Sequence, residues 1–414
     1  MHCFCNFNTR SSSLETFAIP LTKEPSYVIP NGRHSNSDIP ILLYKCLSCT
    51  GLVEEPTRYP LDRIAAITFK IILILVSLDW LISNGVSFHS LDWKTTVTNL
   101  AICMLVAGTY LAMYSKRNIL TVALHNLGSS SNEKIINFNL IVICSMPAVL
   151  STFRVIAHHD SVSSQFKTYG YAISNVWISI VLLSLKFWFY ALVHPTFTHT
   201  SLVSLSYCIL CQSYCCQINS LTKKVLQFSP GEFSPTKQMD ILVQKAEIDK
   251  LLESVQAIFS VPSFFLIAIY FLMCVSVIRI TIEVESFLSC VTVEVMLRTF
   301  IDFHCLFFML WIAGGVPIQM KKLKHVFSEK VRARLLNDRN LGEIQPKGKL
   351  FGQSEFIFTG CDIILYTRST LLSISGALLI YAYFEIITKN QDKPLYSDAV
   401  SQSFPIKNNA GILF

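Results

Sequence analysis

Stretches of about twenty mostly apolar residues, the length a helix needs to cross a hydrocarbon core, recur along the whole chain. Seven are well formed: Ile64–Asn84, Thr96–Tyr114, Ile136–Ala157, Tyr171–Val193, Glu253–Ile278, Leu288–Val316 and Ser369–Ile387. Another, "TSLVSLSYCILCQSYCCQI" over Thr200–Ile218, reads either as an eighth span or as a fourth helix running on past Pro195 into the cytoplasm. Composition supports a membrane setting. The 414 residues are 52% hydrophobic and only 15% charged, with a mean hydropathy of +0.47, whereas soluble domains carry about 25% charged residues.

Charge decides the number and direction of the spans, because Lys and Arg concentrate in cytoplasmic loops close to the membrane. With seven spans and an inside N-terminus, loops 115–135, 217–250 and 317–350 are cytoplasmic and hold 3, 5 and 9 basic residues. The outer loops 85–94, 158–170 and 279–287 hold only Lys94, Lys167 and Arg279. An eighth span would put the first inner loop on the opposite side from the other two. The chain is therefore expected to be an all-α membrane protein of seven transmembrane helices, N-terminus cytoplasmic and C-terminus extracellular.

That topology divides the chain into a cytoplasmic tail (1–61), a six-helix region (62–316) with a cytoplasmic extension of helix four (194–250), a cytoplasmic anchor (317–368), a last helix (369–387) and an extracellular tail (388–414). The anchor opens with "MKKLKHVFSEKVRARLL", where Lys321, Lys322 and Lys324 stand beside an apolar span. The net charge of +7 lies mostly in such loops. It suits anionic lipid, not nucleic acid, for which a separate basic helix or aromatic ladder is missing.

Several function classes are excluded or unsupported. There is no Gly-rich phosphate loop, His-Glu-x-x-His or Gly-x-Ser-x-Gly, so neither catalytic residues nor a cofactor are expected. An apolar core of about 7–15 residues near Met1 is missing, and no cleaved signal peptide is expected. No Asn-x-Ser/Thr sequon marks the outer face. Cys103, Cys144, Cys274, Cys290 and Cys305, among fourteen cysteines, lie in apolar runs as small packing residues. Cys46-x-x-Cys49 has no partner pair at zinc spacing, so no metal is expected there. Cys208, Cys211, Cys215 and Cys216 suit packing or palmitoylation. His158, His159 and Asp160 read as a solvated outer loop, with metal or pH sensing as the alternative.

Ionisable groups inside spans are costly and mark function. Glu294, Arg298 and Asp302 recur every four residues on one face of the sixth span. They either line a ligand cavity or couple it to the anchor, or they form a self-neutralising packing stripe. Lys186 in the fourth span, with Asp79 as a candidate partner, and Arg154, which can snorkel, are also placed in apolar runs. In the last span Ser369, Ser373, Ala377, Tyr381 and Glu385 make one face of small or polar groups, suited to a pore or to close helix contact. Trp80, Trp93, Tyr110 and Trp177 suit an outer pocket or an interfacial belt.

The segment "FIFTGCDIILYTRSTLLSISGALLIYAYFEII", Phe356–Ile387, resembles the C-terminal signature of the insect gustatory receptors and their invertebrate relatives, including those of nematodes. Phe358-Thr359, Arg368-Ser369, Leu371-Leu372, Gly376-Ala377 and Tyr381 stand where that pattern wants them. Thr367 replaces its Asp, Ile380 its Thr, Ile387 its Gln and Thr388 its final Phe. "QINSLTKKV", Gln217–Val225, is similar to the element that ends the family's long fourth helix.

The resemblance implies a ligand-gated, non-selective cation channel: a homo- or hetero-tetramer in the plasma membrane of sensory neurons. It further implies a small-molecule ligand held among the outer halves of helices two to six. Subunits would meet at the cytoplasmic anchor and the last helix would line the pore. A light or peroxide sensor on the same fold is an alternative. So is a metabotropic seven-helix receptor, although its Asp-Arg-Tyr and Asn-Pro-x-x-Tyr motifs are missing.

Overall fold

The computed structural model describes residues 41–53, 60–86, 93–125, 133–158, 199–283, 290–337 and 356–391, with a few helical positions between 177 and 185. Among these residues the regular elements are α1 (Ile41–Thr50), α2 (Pro60–Val86), α3 (Trp93–Ser115), α4 (Arg117–His125), α5 (Glu133–His158), α6 (His199–Gln227), α7 (Pro235–Glu283), α8 (Cys290–Ala313), α9 (Gly315–Asn337), the two-residue strands β1 (Thr359–Gly360) and β2 (Ile364–Leu365), and α10 (Arg368–Gln391). All lie within one unit, Asp38–Phe414. Most of Tyr171–Val193, Lys186 included, most of the N-terminal tail, His159, Asp160 and the C-terminal tail beyond Gln391 fall outside the described residues.

The architecture is organised by α7. Its 49 residues make a rod about 74 Å long at 1.5 Å per residue. That is more than twice a hydrocarbon core, so part of it must project. Ser234 and Pro235 start it in the way helices prefer, with a serine cap and proline at the first helical position; Ser234 Oγ accepts from the Lys237 amide at 3.4 Å. Helices α3, α4, α6, α8 and α10 and strand β1 all pack on α7. The α3 contact is close because position 108 is glycine: a Cβ there would lie 2.9 Å from the Phe265 ring.

Six stretches among the described residues are long and apolar enough to cross a membrane: Leu61–Ile82, Thr96–Ser115, His199–Gln227, Pro235–Ile282, Thr299–Leu336 and Arg368–Lys389. Four of them contain or closely overlap the expected first, second, fifth and last spans, and Thr299–Leu336 shares its first half with the expected sixth, Leu288–Val316. The expected third span lies in α5, whose apolar part Ile136–Val149 is shorter. Helix α6 also satisfies length and composition, yet much of its surface is covered by protein. Leu202, Val203, Tyr207, Leu210, Cys211 and Ile218 are buried, and α6 packs on α7, α8 and α9.

At one end of the molecule the polar part of α7, the last turns of α6 and helix α9 form a second layer. Here basic side chains hold backbone. Lys330 Nζ donates to the Phe228 carbonyl at 2.7 Å and Arg334 Nη1 to the Phe233 carbonyl at 2.8 Å. These bonds pin the α6–α7 turn onto α9, with Phe233 buried edge-on to Phe327 at 5.4 Å. Lys224 and Asp240 link α6 to α7 at 3.0 Å across the surface. Hydrogen bonds from Lys224 and Gln244 hold the Asp240 carboxyl below its ordinary value.

Candidate functional site

Within the segment Phe356–Ile387 the chain folds as a hairpin followed by a helix. Strands β1 and β2 pair antiparallel, Thr359 with Leu365 and Gly360 with Ile364. Cys361 and Asp362 have φ of 51° and 57°, the left-handed values needed at the centre of a type I′ turn. The Ile363 amide closes that turn on the Gly360 carbonyl at 2.9 Å.

A polar stripe on α7, one helical face at Gln256, Ser260 and Ser263, seats the hairpin. Gln256 Nε2 donates to the Thr359 carbonyl at 2.8 Å, and the Thr359 amide returns a bond to Gln256 Oε1 at 3.0 Å. The Cys361 amide reaches Ser260 Oγ at 3.1 Å, and Ser263 Oγ shares a 2.8 Å bond with Tyr366 Oη. Burial pushes the Tyr366 phenol above its ordinary value. Beneath the hairpin Phe358 and Tyr366 pack against Tyr207 on α6, at centroid distances of 5.8 and 6.5 Å. Gly360 is required here, since a Cβ would fall 2.2 Å from Tyr366 Oη and 3.1 Å from Phe264 Cβ.

The hairpin delivers the chain into α10. Thr367 caps that helix: its Oγ1 accepts from the Thr370 amide at 3.3 Å, while Thr370 Oγ1 accepts from the Thr367 amide at 3.4 Å. This is a reciprocal capping box, in which the Thr367 hydroxyl satisfies a first-turn amide of α10. Arg368 lays its guanidinium over Trp311 of α8 at 4.1 Å. Gly314, between α8 and α9, lets the backbones meet: a Cβ there would sit 3.0 Å from the Arg368 nitrogen. At the far end Lys389 Nζ donates to the Ile282 carbonyl in the last turn of α7.

Between these two anchorages α10 touches the rest of the chain through α7 and α8, burying Leu371 and Leu378. Ser369, Ser373 and Ala377 are exposed; Tyr381 and Glu385 are half-buried, with Tyr381 Oη donating to Glu385 Oε1 at 2.7 Å. Leu372, Leu379, Tyr383 and Phe384 are also open. An apolar helix exposed over most of its circumference calls for lipid or further protein around it.

Of the other residues singled out, Asp302 is buried where α6, α7 and α8 meet, within electrostatic reach of Tyr270, Cys274 and Cys305. Tyr270 in turn bonds Ser204 at 2.9 Å. Glu294 and Arg298 lie on the helical backbone of α8, and Arg154 on that of α5, but their side chains are outside the described set. Asp79 is half-buried, and Trp80 packs against the Ile102, Val106, Ile269 and Met273 cluster. Tyr110 lies at the opposite end of α3 from Trp93 and donates to the Thr50 carbonyl of α1 at 3.0 Å; it is a tie between helices in the structure. Trp177 is exposed. Lys321 and Lys322 are exposed and Lys324 is half-buried. Cys211 is buried and Cys216 exposed. No metal-binding group of side chains occurs among the described residues.

No protein-family model matches the chain, and no curated protein matches it. Solved structures do. The insect olfactory receptor OR5 from Machilis hrabei in complex with eugenol superposes with a TM-score of 0.59 at 14% identity, covering 84% of this chain and 97% of the receptor. The same receptor in a second structure gives a TM-score of 0.60 at 14% identity, over 84% and 96% of the two chains. The chain has the fold of an insect olfactory receptor.

Proposed function

We propose, from that shared fold, that this protein is a chemosensory receptor of gustatory type acting as a ligand-gated, non-selective cation channel. The supporting observation is the likeness to an insect chemoreceptor over 84% of the chain, which meets a C-terminal signature read independently from the sequence. Seven spans with the N-terminus inside place α9 and the α6–α7 turn in the cytoplasm. The subunit then works as part of a homo- or hetero-tetramer in the plasma membrane, binding a small organic molecule as the neighbour binds eugenol. Ser369, Ser373, Ala377, Tyr381 and Glu385 line the pore. Glu294, Arg298, Asp302 and Lys186 serve ligand binding or gating.

Glu385 carries the sharpest test. Four copies near the outer mouth would form a ring of negative charge that concentrates cations, with Tyr381 orienting each carboxylate. In patch recordings of a responsive wild type, Glu385→Gln should lower single-channel conductance or divalent block. Glu385→Lys should reduce cation current strongly. Unchanged conductance, selectivity and block in both would remove Glu385 from the pore. Tags on intact cells check the topology: a surface-exposed N-terminal tag would point instead to a metabotropic receptor.

A further inference from the structure

Below the start of α10, one face of α9 is left open, and its chemistry is graded. Gly314 points at the Thr367–Arg368 backbone, and the Gly314 amide bonds the Leu310 carbonyl at 2.9 Å, carrying the helical register into α9. Positions seven and eleven residues on, Lys321 and His325, therefore fall within about 20° of the Gly314 direction, Lys321 about 10 Å further along. Both are exposed, as is Lys322 beside them. His325 faces Glu329 at 3.5 Å; among the described residues Lys321, Lys322 and Arg368 form no ion pair. Above them the surface turns apolar: Trp311 is 43%, Ile318 44% and Leu372 75% exposed. Arg368, spread over Trp311, marks the boundary.

We propose that this face binds an inner-leaflet inositol phospholipid with ring phosphates. Its acyl chains lie along Leu372 and Trp311, and its headgroup spans Arg368, Lys321 and Lys322. Three cations graded over about 15 Å of helix match several phosphates better than a headgroup of single charge, and basic sites beside cytoplasmic helix ends recognise such lipids. The assignment rests on the cytoplasmic placement of α9 and on this face of the anchor standing clear of the contacts between subunits. Because Arg368 opens α10, the lipid reports on, and stabilises, the seat of that helix.

The test uses purified full-length protein in nanodiscs of neutral lipid, where both leaflets are accessible whichever way the chain is inserted. Phosphatidylinositol bisphosphate, phosphatidylserine at matched charge and soluble inositol trisphosphate are titrated in turn, with bound lipid read by native mass spectrometry. Each basic residue at an anionic surface is worth about fivefold in affinity, so Lys321→Gln with Lys322→Gln should weaken bisphosphate binding by about 25-fold. Both lysines are exposed, and these variants should fold. Arg368→Lys should keep much of the binding that Arg368→Gln loses, and Lys116→Gln should change nothing. Equal binding of phosphatidylserine, full binding of the soluble headgroup, or unchanged affinity in the lysine variants would each overturn the proposal. A channel that fails to conduct would leave these titrations intact.

Discussion

Gly360 shows how little room one side chain has at the hairpin. A methyl group there meets the Tyr366 hydroxyl and Phe264 at once, and overpacking of this kind costs about 1–3 kcal/mol. Gly360→Ala should therefore lower the thermal midpoint of the detergent-solubilised protein, and adding Tyr366→Phe should recover part of the loss. Additive effects would mean that the two residues do not meet. The sequence pointed to Phe358 and Thr359 by resemblance but was silent on why they matter. Their partners lie far upstream: Thr359 binds Gln256, 103 residues away, and no local pattern reveals a bond across that separation. Gln256, Ser260 and Ser263 would have been visible only as polar positions recurring on one face of an otherwise apolar helix.

Helices were more readable than the contacts between them, because a twenty-residue apolar run has few other fates. The hairpin was not. Two strands of two residues each are too short for alternation to announce them, and the left-handed turn falls on Cys361 and Asp362 in place of glycine. Helix α6 stayed ambiguous for a physical reason: a helix wrapped by other helices is as apolar as one facing lipid. The cap of α10 offers a clean check on the departure from the family pattern. Thr367→Ala should cost about 1 kcal/mol. Thr367→Asp should be neutral or stabilising, since a carboxylate also suits the positive end of the helix. Thermal unfolding followed by tryptophan fluorescence compares the two. Equal losses would show that the hydroxyl does not cap.

Assembly in the bilayer depends on charge asymmetry as well as on packing. Lys321, Lys322 and Lys324 form a dense basic group directly after the sixth expected span. Changing all three to Glu should misorient or retain the protein, read as loss of surface C-terminal tag in intact cells. Normal topology and surface level would show that the remaining loops suffice.

The last helix is gripped twice by the same partner, at Gln256 through the hairpin and at Ile282 through Lys389. Those grips are separated by 26 residues of α7, a lever arm of about 39 Å. Pivoting that arm by about 5° about its lower grip carries the upper one sideways by about 3 Å for a rod of this length. Both helices travel together, so the angular tolerance at the hairpin sets how far the other end of α10 is displaced.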